Sequence, residues 1–421
     1  MNRPLTRFYP LMVTLFGVLV LVIPPLAAQE DWPAAIQALE KQVRSNRGDE
    51  NARNQLAIAH NNYAMVLGKE KKWEEATSQM EEALRLDRQN ARFKENLSLV
   101  HLNHAYQLYQ EPNSTHSYQS YRHLKAKGLV EKALRFNSKS APAYVLLGDI
   151  EYDNQQLPRA KLAWQKAQRL DPAINGLANR LDRVGRESKV ESDMKSVADL
   201  YFTLRYDDSI KRSTGFDIRK VLRQARVDVG RDFQHRPKHK IVVLLYSKEA
   251  FRKVRERAPE WASGIYDGKI RIPMPESQQD LRSVKKTIVH EYTHAVVHEL
   301  SGGRIPHWFN EGLAEYQAAK YAKTSKQASP LKQALSADEL VPWSQIESLF
   351  GGSSINQVRV GYDQSHSVVA YLTQRYGFWH MPRLLNQVSQ GVSFEEGLEK
   401  EFKSSAQRLE KDWKRWLPRF F

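Results

Sequence analysis

The chain has 421 residues, of which 41% are hydrophobic and 27% are charged, and it contains no cysteine. This length exceeds one ordinary core and predicts two or three domains, while the hydrophobic content excludes a disordered protein. The absence of thiols excludes disulfides, a cysteine ligand for zinc and a lipid-modified N-terminal cysteine. The formal net charge is +16, but the basic residues are spread along the chain without a nucleic-acid-binding motif, so we expect no nucleic acid partner.

Residues 1–28 have the composition of a secretory signal peptide. Arg3 and Arg7 precede an apolar run at residues 11–23, and two prolines and a small-residue end at Ala27 and Ala28 follow. The apolar run is too short for a comfortable membrane span, which favours cleavage near Ala28. The alternative is that residues 11–23 remain as a membrane anchor, and membrane association is expected only in that case. Both interpretations predict an exported protein, periplasmic or extracellular.

Residues 29–175 contain an internal repeat that predicts stacked helical hairpins. The most regular unit covers residues 141–175, where small, aromatic and apolar residues recur at fixed offsets: Tyr144, Leu147, Gly148, Tyr152, Ala160, Trp164, Ala167 and Pro172. This unit resembles a tetratricopeptide repeat. Equivalent alanines at positions 76 and 126 indicate two less regular copies, the middle one with an insertion. The resemblance implies a protein or peptide partner on the repeat array, and a scaffold is the alternative.

The next segment, 176–197, is rich in charged residues and serine and has few large apolar residues, which predicts a capping helix and a linker. Strand and helix patterns then alternate as far as residue 380, and amphipathic helices are predicted at 381–421. In the alternating region, Asp267 and Gly268 predict a tight turn. Residues 269–272 after this turn predict a half-solvated strand, which is a candidate edge for binding an extended substrate.

The segment from Ile288 to Tyr316 carries the residues with metal chemistry. On a helix, His290 and His294 lie four residues apart, so both imidazoles project from one face and can hold one cation. Glu291 lies beside them. This is the HExxH pattern, in which two neutral imidazoles bind zinc and the glutamate is the general base for the attacking water.

A tetrahedral site with an open position needs a third protein ligand. Glycines and Pro306 break the first helix, and the sequence WFNEGLAEY begins a second one. This helix, turn and helix can place Glu311 over the two histidines, and Glu315, one turn later, can accept the second N–H of a ligating histidine. The other nearby histidines, His298 and His307, are predicted to be helix-face or loop residues.

These residues resemble the gluzincin metallopeptidases, in which HExxH is followed by a helix with a ligating glutamate. The resemblance implies Zn²⁺ as cofactor, Glu311 as third ligand and Glu315 as the residue that orients a ligand. A metzincin fits poorly, because Val297 and Leu300 stand where that family has glycine and histidine. Residues 198–380 as a whole resemble the peptidase MA-like domains found attached to tetratricopeptide repeats.

Peptide hydrolysis also needs a hydrogen-bond donor for the oxyanion that forms at the attacked carbonyl. Tyr362 and His366 share one face of a helix predicted at residues 361–377. Gluzincins supply a tyrosine or histidine from beyond the metal helices, which implies Tyr362 as first candidate and His366 as second. A packing or capping role is the alternative for each residue.

The predicted fold class is an all-α tetratricopeptide repeat solenoid followed by an α+β zincin-like metallopeptidase domain. The predicted function is an exported zinc metallopeptidase that acts on a peptide or protein substrate. The aminopeptidase pattern Gly-Ala-Met-Glu-Asn is absent from the sequence, which favours an endopeptidase. The alternatives are an envelope scaffold or adaptor that binds partners through its repeats beside an idle metal domain, and a basic protein that binds an anionic polymer.

Overall fold

A computed structural model describes residues 31–110, 117–237, 239–254, 264–275, 281–322, 329–351 and 354–421. The predicted signal peptide and anchor, at residues 1–28, lie outside the described residues. Within the described ranges, no helix combines the length and the apolar character that crossing a membrane requires. The chain divides into two compact units: one contains residues 31–110 and 120–188, and the other contains residues 117–119 and the described residues between 189 and 421.

The N-terminal unit consists of consecutive helices. They are α1 (Trp32–Ser45), α2 (Glu50–Lys69), α3 (Trp73–Leu86), α4 (Ala91–Gln110), α5 (Ser117–Phe136), α6 (Ala141–Asp153), α7 (Leu157–Leu170) and α8 (Leu177–Glu191). The first three residues of α5 and the last three of α8 belong to the second unit. The pairs α2–α3 and α6–α7 pack as hairpins. The repeated alanines at positions 76, 126 and 160 are fully buried, because a methyl group lets neighbouring helices approach closely.

Gly148 shows how tightly one hairpin packs. A Cβ atom at this position would lie 2.3 Å from the indole of Trp164, so only glycine fits between α6 and α7. The indole nitrogen donates a hydrogen bond to Asp149 Oδ1 at 3.1 Å. The fixed offset between Gly148 and Trp164 in the repeat therefore reflects a direct contact between α6 and α7.

The second unit contains a five-stranded mixed sheet in the order β1–β2–β3–β5–β4. The strands are β1 (Lys195–Ala198), β2 (Phe202–Tyr206), β3 (Ile241–Tyr246), β4 (Ile265–Tyr266) and β5 (Ile270–Pro273). The strand β3 pairs in parallel with β2 and β5, while β1 and β4 pair antiparallel with their neighbours. A helical unit followed by a unit with a small mixed sheet agrees with the predicted fold class at this level.

The prediction of a half-solvated edge strand at 269–272 is wrong. The strand β5 lies inside the sheet between β3 and β4, and the side chain of Arg271 is 0% exposed. Arg271 Nη1 lies 2.7 Å from Glu191 Oε1, and Arg271 Nε lies 3.3 Å from Asp267 Oδ2. The alternation of polar and apolar residues misled the prediction, because a charged side chain with buried partners can face the interior.

Ten helices of the second unit lie in the described residues. They are α9 (Arg212–Asp232), α10 (Lys248–Val254), α11 (Leu281–Ser301), α12 (His307–Ala322), α13 (Ser329–Ser336), α14 (Ile346–Leu349), α15 (Ile355–Tyr376), α16 (His380–Ser389), α17 (Phe394–Phe402) and α18 (Ala406–Trp416). The helix α11 is central, because it packs on α9, α12, α16 and β5. Its residues Ile288, Tyr292 and Ala295 are fully buried.

The helix α15 begins earlier than the sequence predicted, at Ile355 instead of Gly361. Ser354 caps its N-terminus by accepting a hydrogen bond from the backbone N–H of Gln357 at 3.1 Å, which is an ordinary serine cap. The helix ends at Tyr376 and is capped by Gly377, whose φ of +99° favours glycine. Tyr362 and His366 therefore lie inside the helix and not at its start.

Candidate metal centre

The break between α11 and α12 returns the chain to the two histidines. Gly302 and Gly303 have φ angles of +62° and +72°, which glycine adopts without a steric cost. The carbonyl of Pro306 then accepts backbone hydrogen bonds from Phe309 and Asn310 in the first turn of α12. Glu311 is thereby placed opposite the imidazoles of α11.

Three side chains converge at one point between α11 and α12. The Nε2 atoms of His290 and His294 are 3.1 Å apart. Glu311 Oε2 lies 3.3 Å from His290 Nε2, and Glu311 Oε1 lies 3.6 Å from His294 Nε2. One nitrogen or oxygen atom from each residue lies within 4.8 Å of the others, which suits the binding of a metal ion.

The outer nitrogen of each imidazole has its own acceptor. Asn310 Oδ1 lies 3.0 Å from His294 Nδ1, and Glu315 Oε1 lies 3.4 Å from His290 Nδ1. In a neutral imidazole, an acceptor at Nδ1 selects the tautomer whose Nε2 lone pair points to the common centre, and it makes that nitrogen a better ligand. Both rings are therefore oriented for coordination through Nε2.

Glu291 lies next to this centre and is 3% exposed. Burial raises the pKa of its carboxyl group, while the neighbouring His290 and His294 oppose that effect. Its Oε2 atom is buried and has no hydrogen-bond partner among the residues that the structure describes. A Cβ atom on Gly264 would lie 2.6 Å from Thr287 Cγ2 and 2.7 Å from Glu291 Oε1, so glycine lets the chain before β4 pass close to both side chains.

The charges of the site fit a divalent cation. Burial alone would lower the pKa of His290, but the carboxylates of Glu311 and Glu315 outweigh burial and raise it to about 10. Burial also opposes ionisation of Glu311, but His294, His290 and His307 hold its pKa well below the usual value. The carboxyl groups of Glu291, Glu311 and Glu315 thus surround the two imidazoles. A metal ion bound by two imidazole nitrogens and one carboxylate would compensate this negative charge.

Tyr362 and His366 occupy different surroundings. Burial raises the pKa of Tyr362, and the carboxylates of Glu311, Glu315 and Glu291 add to that effect, so this phenol lies in the electric field of the site. The ring of His366 packs edge-to-face against Phe420 at 5.2 Å and against Tyr316 at 6.2 Å. Of the two predicted donors, Tyr362 is thus the one whose pKa is raised by the three carboxylates of the site.

Comparison with models of protein families gives a match over residues 221–419. This segment is a Peptidase MA superfamily domain. It contains all seven residues that the sequence analysis predicted for the site, and it confirms the resemblance to peptidase MA domains. The match continues through α16, α17 and α18, whose apolar residues, including Leu384, Phe394 and Trp413, belong to the same hydrophobic core as α11.

Two other similarities concern parts of the chain. The uncharacterized protein YhcO of Bacillus subtilis (strain 168) is 25% identical over 142 residues, which are 31% of this chain and 40% of that protein. The chain thus spans two fifths of the length of this relative. The solved structure of the first TPR of Spaghetti (RPAP3) bound to HSP90 peptide SRMEEVD matches 32% of this chain and 95% of its own, with 17% identity and a TM-score of 0.23.

Several residues of the Peptidase MA domain contact the site without having been predicted. Asn310 directly precedes Glu311 in the segment WFNEGLAEY, and its contact with His294 is not predicted by the sequence. His307 was predicted to be a helix-face or loop residue, yet its Nε2 lies 3.1 Å from Glu311 Oε1. Its spacing of four residues from Glu311 on one helix could have shown this contact. Gly264 and Glu347 have no such local signal, because they reach the site from distant segments.

Proposed function

We propose that this protein is an exported zinc-dependent metallopeptidase, and specifically an endopeptidase that cleaves peptide or protein substrates. The observation that carries the proposal is the convergence of His290, His294 and Glu311 beside Glu291, within a Peptidase MA superfamily domain. Two imidazole nitrogens and one carboxylate oxygen are a ligand set that zinc accepts in catalytic sites. Glu315 and Asn310 would orient the two imidazoles.

Bound zinc would supply a Lewis acid that polarises the substrate carbonyl and makes a neighbouring water more acidic. In the proposed reaction, Glu291 takes a proton from the attacking water as the new carbon–oxygen bond forms. It then gives that proton to the amine nitrogen as the peptide bond breaks. Burial raises the pKa of Glu291 above that of an ordinary glutamate, which suits a group that must take and return a proton.

Tyr362 is the proposed donor to the oxyanion. Its raised pKa keeps the phenol protonated, so the hydroxyl can donate a hydrogen bond where negative charge develops. Removal of one such donor lowers kcat by about 100- to 1,000-fold in other enzymes. We expect that loss for Tyr362→Phe and a smaller one for His366→Gln, because His366 packs against Tyr316 and Phe420.

We also propose that the helical hairpins of the N-terminal unit are tetratricopeptide repeats that bind a substrate or partner protein. The buried alanines and the contact of Gly148 with Trp164 support this interpretation. Residues 1–28 are proposed to direct export as a signal peptide, and residues 11–23 to anchor the protein if that segment is not cleaved.

The decisive experiment measures zinc content and cleavage of a denatured proteome by the purified chain, with mapping of the cleaved bonds. The matched control is Glu291→Gln, which keeps the side-chain shape and removes the base. We expect this variant to retain zinc and to lose activity by about 100- to 10,000-fold. Full activity in Glu291→Gln would contradict the mechanism. Capture of a partner protein that survives chelation, with no cleavage of any peptide, would favour the adaptor function.

A further inference from the structure

His307 is the first residue of α12 and lies one helical turn before Glu311. Its Nε2 atom is 3.1 Å from Glu311 Oε1, and its side chain is 48% exposed. Among the described residues, the group whose atoms converge within 4.8 Å consists of His290, His294 and Glu311. His307 therefore touches one member of the group from outside and does not belong to it.

The position of His307 is determined by a segment that is remote in the sequence. Glu347 Oε1 lies 3.6 Å from His307 Nδ1, and the ring of Phe350 meets the imidazole edge-to-face at 4.8 Å. Glu347 Oε2 also accepts a hydrogen bond from the backbone N–H of Trp308 at 3.1 Å. The same carboxylate thus caps α12 and contacts the outer nitrogen of His307.

Close packing holds this segment against α15. A Cβ atom on Gly361 would lie 3.1 Å from Leu349 Cβ and 3.4 Å from a ring carbon of Phe350. The glycine permits that approach, and Phe350 in turn contacts the ring of Tyr362 at 5.0 Å. His307 is therefore held between a packed wall on one side and Glu311 on the other.

We propose that His307 is a positioning residue, whose Nε2–H donates a hydrogen bond to Glu311 Oε1 and fixes the carboxylate for metal binding. The inference rests on the proposed zinc site. A glutamate side chain has several rotatable bonds, so an unsupported carboxylate loses conformational entropy when it binds a metal ion. A hydrogen bond present before binding removes part of that cost and selects the oxygen that faces the metal.

The test measures the zinc affinity of the full chain by competition with a chromophoric chelator. We expect His307→Ala to weaken zinc binding by about 10- to 100-fold, which is the usual effect of losing an outer partner of a ligand. His307→Gln should remain close to the unchanged chain, because its amide N–H can replace the imidazole donor. Glu347→Gln, which can still cap Trp308, should give an intermediate loss.

The control variant is Arg304→Ala, in the exposed loop before α12. The Arg304 side chain donates a hydrogen bond to the carbonyl of Ser389. The control variant should bind zinc as the unchanged chain does, and the zinc-free His307→Ala variant should still be folded at the temperature of the assay. Equal zinc affinity in His307→Ala and the unchanged chain would overturn the inference and leave the zinc site standing. Equal losses in His307→Ala and Arg304→Ala would overturn it too.

Two further outcomes would also reject the positioning role. If His307→Ala and His307→Gln both lost zinc binding entirely, His307 would be a ligand itself. If the unchanged chain bound no zinc, both this inference and the proposed metal site would fail. Zinc binding by the unchanged chain therefore separates the two failures.

Discussion

The contact between α12 and α15 at Gly312 gives a sharp test of how the site is built. Gly312 follows Glu311 directly, and a Cβ atom there would lie 2.5 Å from the carbonyl oxygen of Ser365 and 3.0 Å from Val369 Cγ2. Real Cβ contacts are essentially never shorter than 3.0 Å. In Gly312→Ala, the two helices must therefore separate by about 0.5 Å or more (3.0 − 2.5 = 0.5), because a backbone atom cannot rotate away as a flexible side chain can.

The expected magnitude combines two opposing effects. Overpacking of a well-packed contact costs about 1–3 kcal/mol, while replacing glycine by alanine inside a helix gains about 1 kcal/mol. We therefore expect Gly312→Ala to lower the free energy of unfolding of the second unit by up to about 2 kcal/mol. The displacement also moves Glu311 relative to His290 and His294, so zinc affinity should fall.

The matched control is Gly185→Ala in α8, where a Cβ atom would meet nothing within 4 Å. The free energy of unfolding of the N-terminal unit, which contains Gly185, should be unchanged or higher by up to about 1 kcal/mol. Urea unfolding of the unit that carries the substitution measures the change in free energy of unfolding for each variant. Competition with a chelator measures the zinc affinity. If Gly312→Ala were as stable as Gly185→Ala and bound zinc normally, the close packing of α12 on α15 would be refuted.

Three further predictions address other parts of the chain. Burial and then Lys132 lower the pKa of His101 from 6.5 to about 4. As the pH falls, His101 is therefore protonated in the unfolded chain before it is protonated in the folded chain. Stability of the N-terminal unit should drop by up to about 3 kcal/mol between pH 6.5 and 4, and thermal unfolding of His101→Leu should show less of this loss. Glu191→Leu alone should cost about 3–5 kcal/mol in urea unfolding, because Arg271 is left buried without that partner, and adding Arg271→Met should recover most of it. Chelation should abolish peptide cleavage, and added zinc should restore it; cleavage that persists after chelation would contradict the proposal.

Features that depend on a few neighbouring residues could be predicted from the sequence. The four-residue spacing of His290 and His294 places both on one helical face, because the period of the α-helix is 3.6 residues. Gly302 and Gly303 mark the helix break because they can adopt positive φ angles. The recurring alanines of the repeats indicate close helix packing for a similarly local reason. The Peptidase MA resemblance rested on these local patterns.

Features that depend on distant segments could not be predicted in the same way. The polar residue Arg271 suggested a solvent-facing strand, but a buried partner 80 residues away, Glu191, allows it to face the interior. Likewise, the contacts of Gly264 with Glu291 and of Glu347 with His307 join segments that are distant in the sequence and that meet only in the folded chain. Local sequence determines the helical period and where a helix can stop. The tertiary structure decides which side chains complete the site, because the energy of each long-range contact depends on the arrangement of all the elements around it.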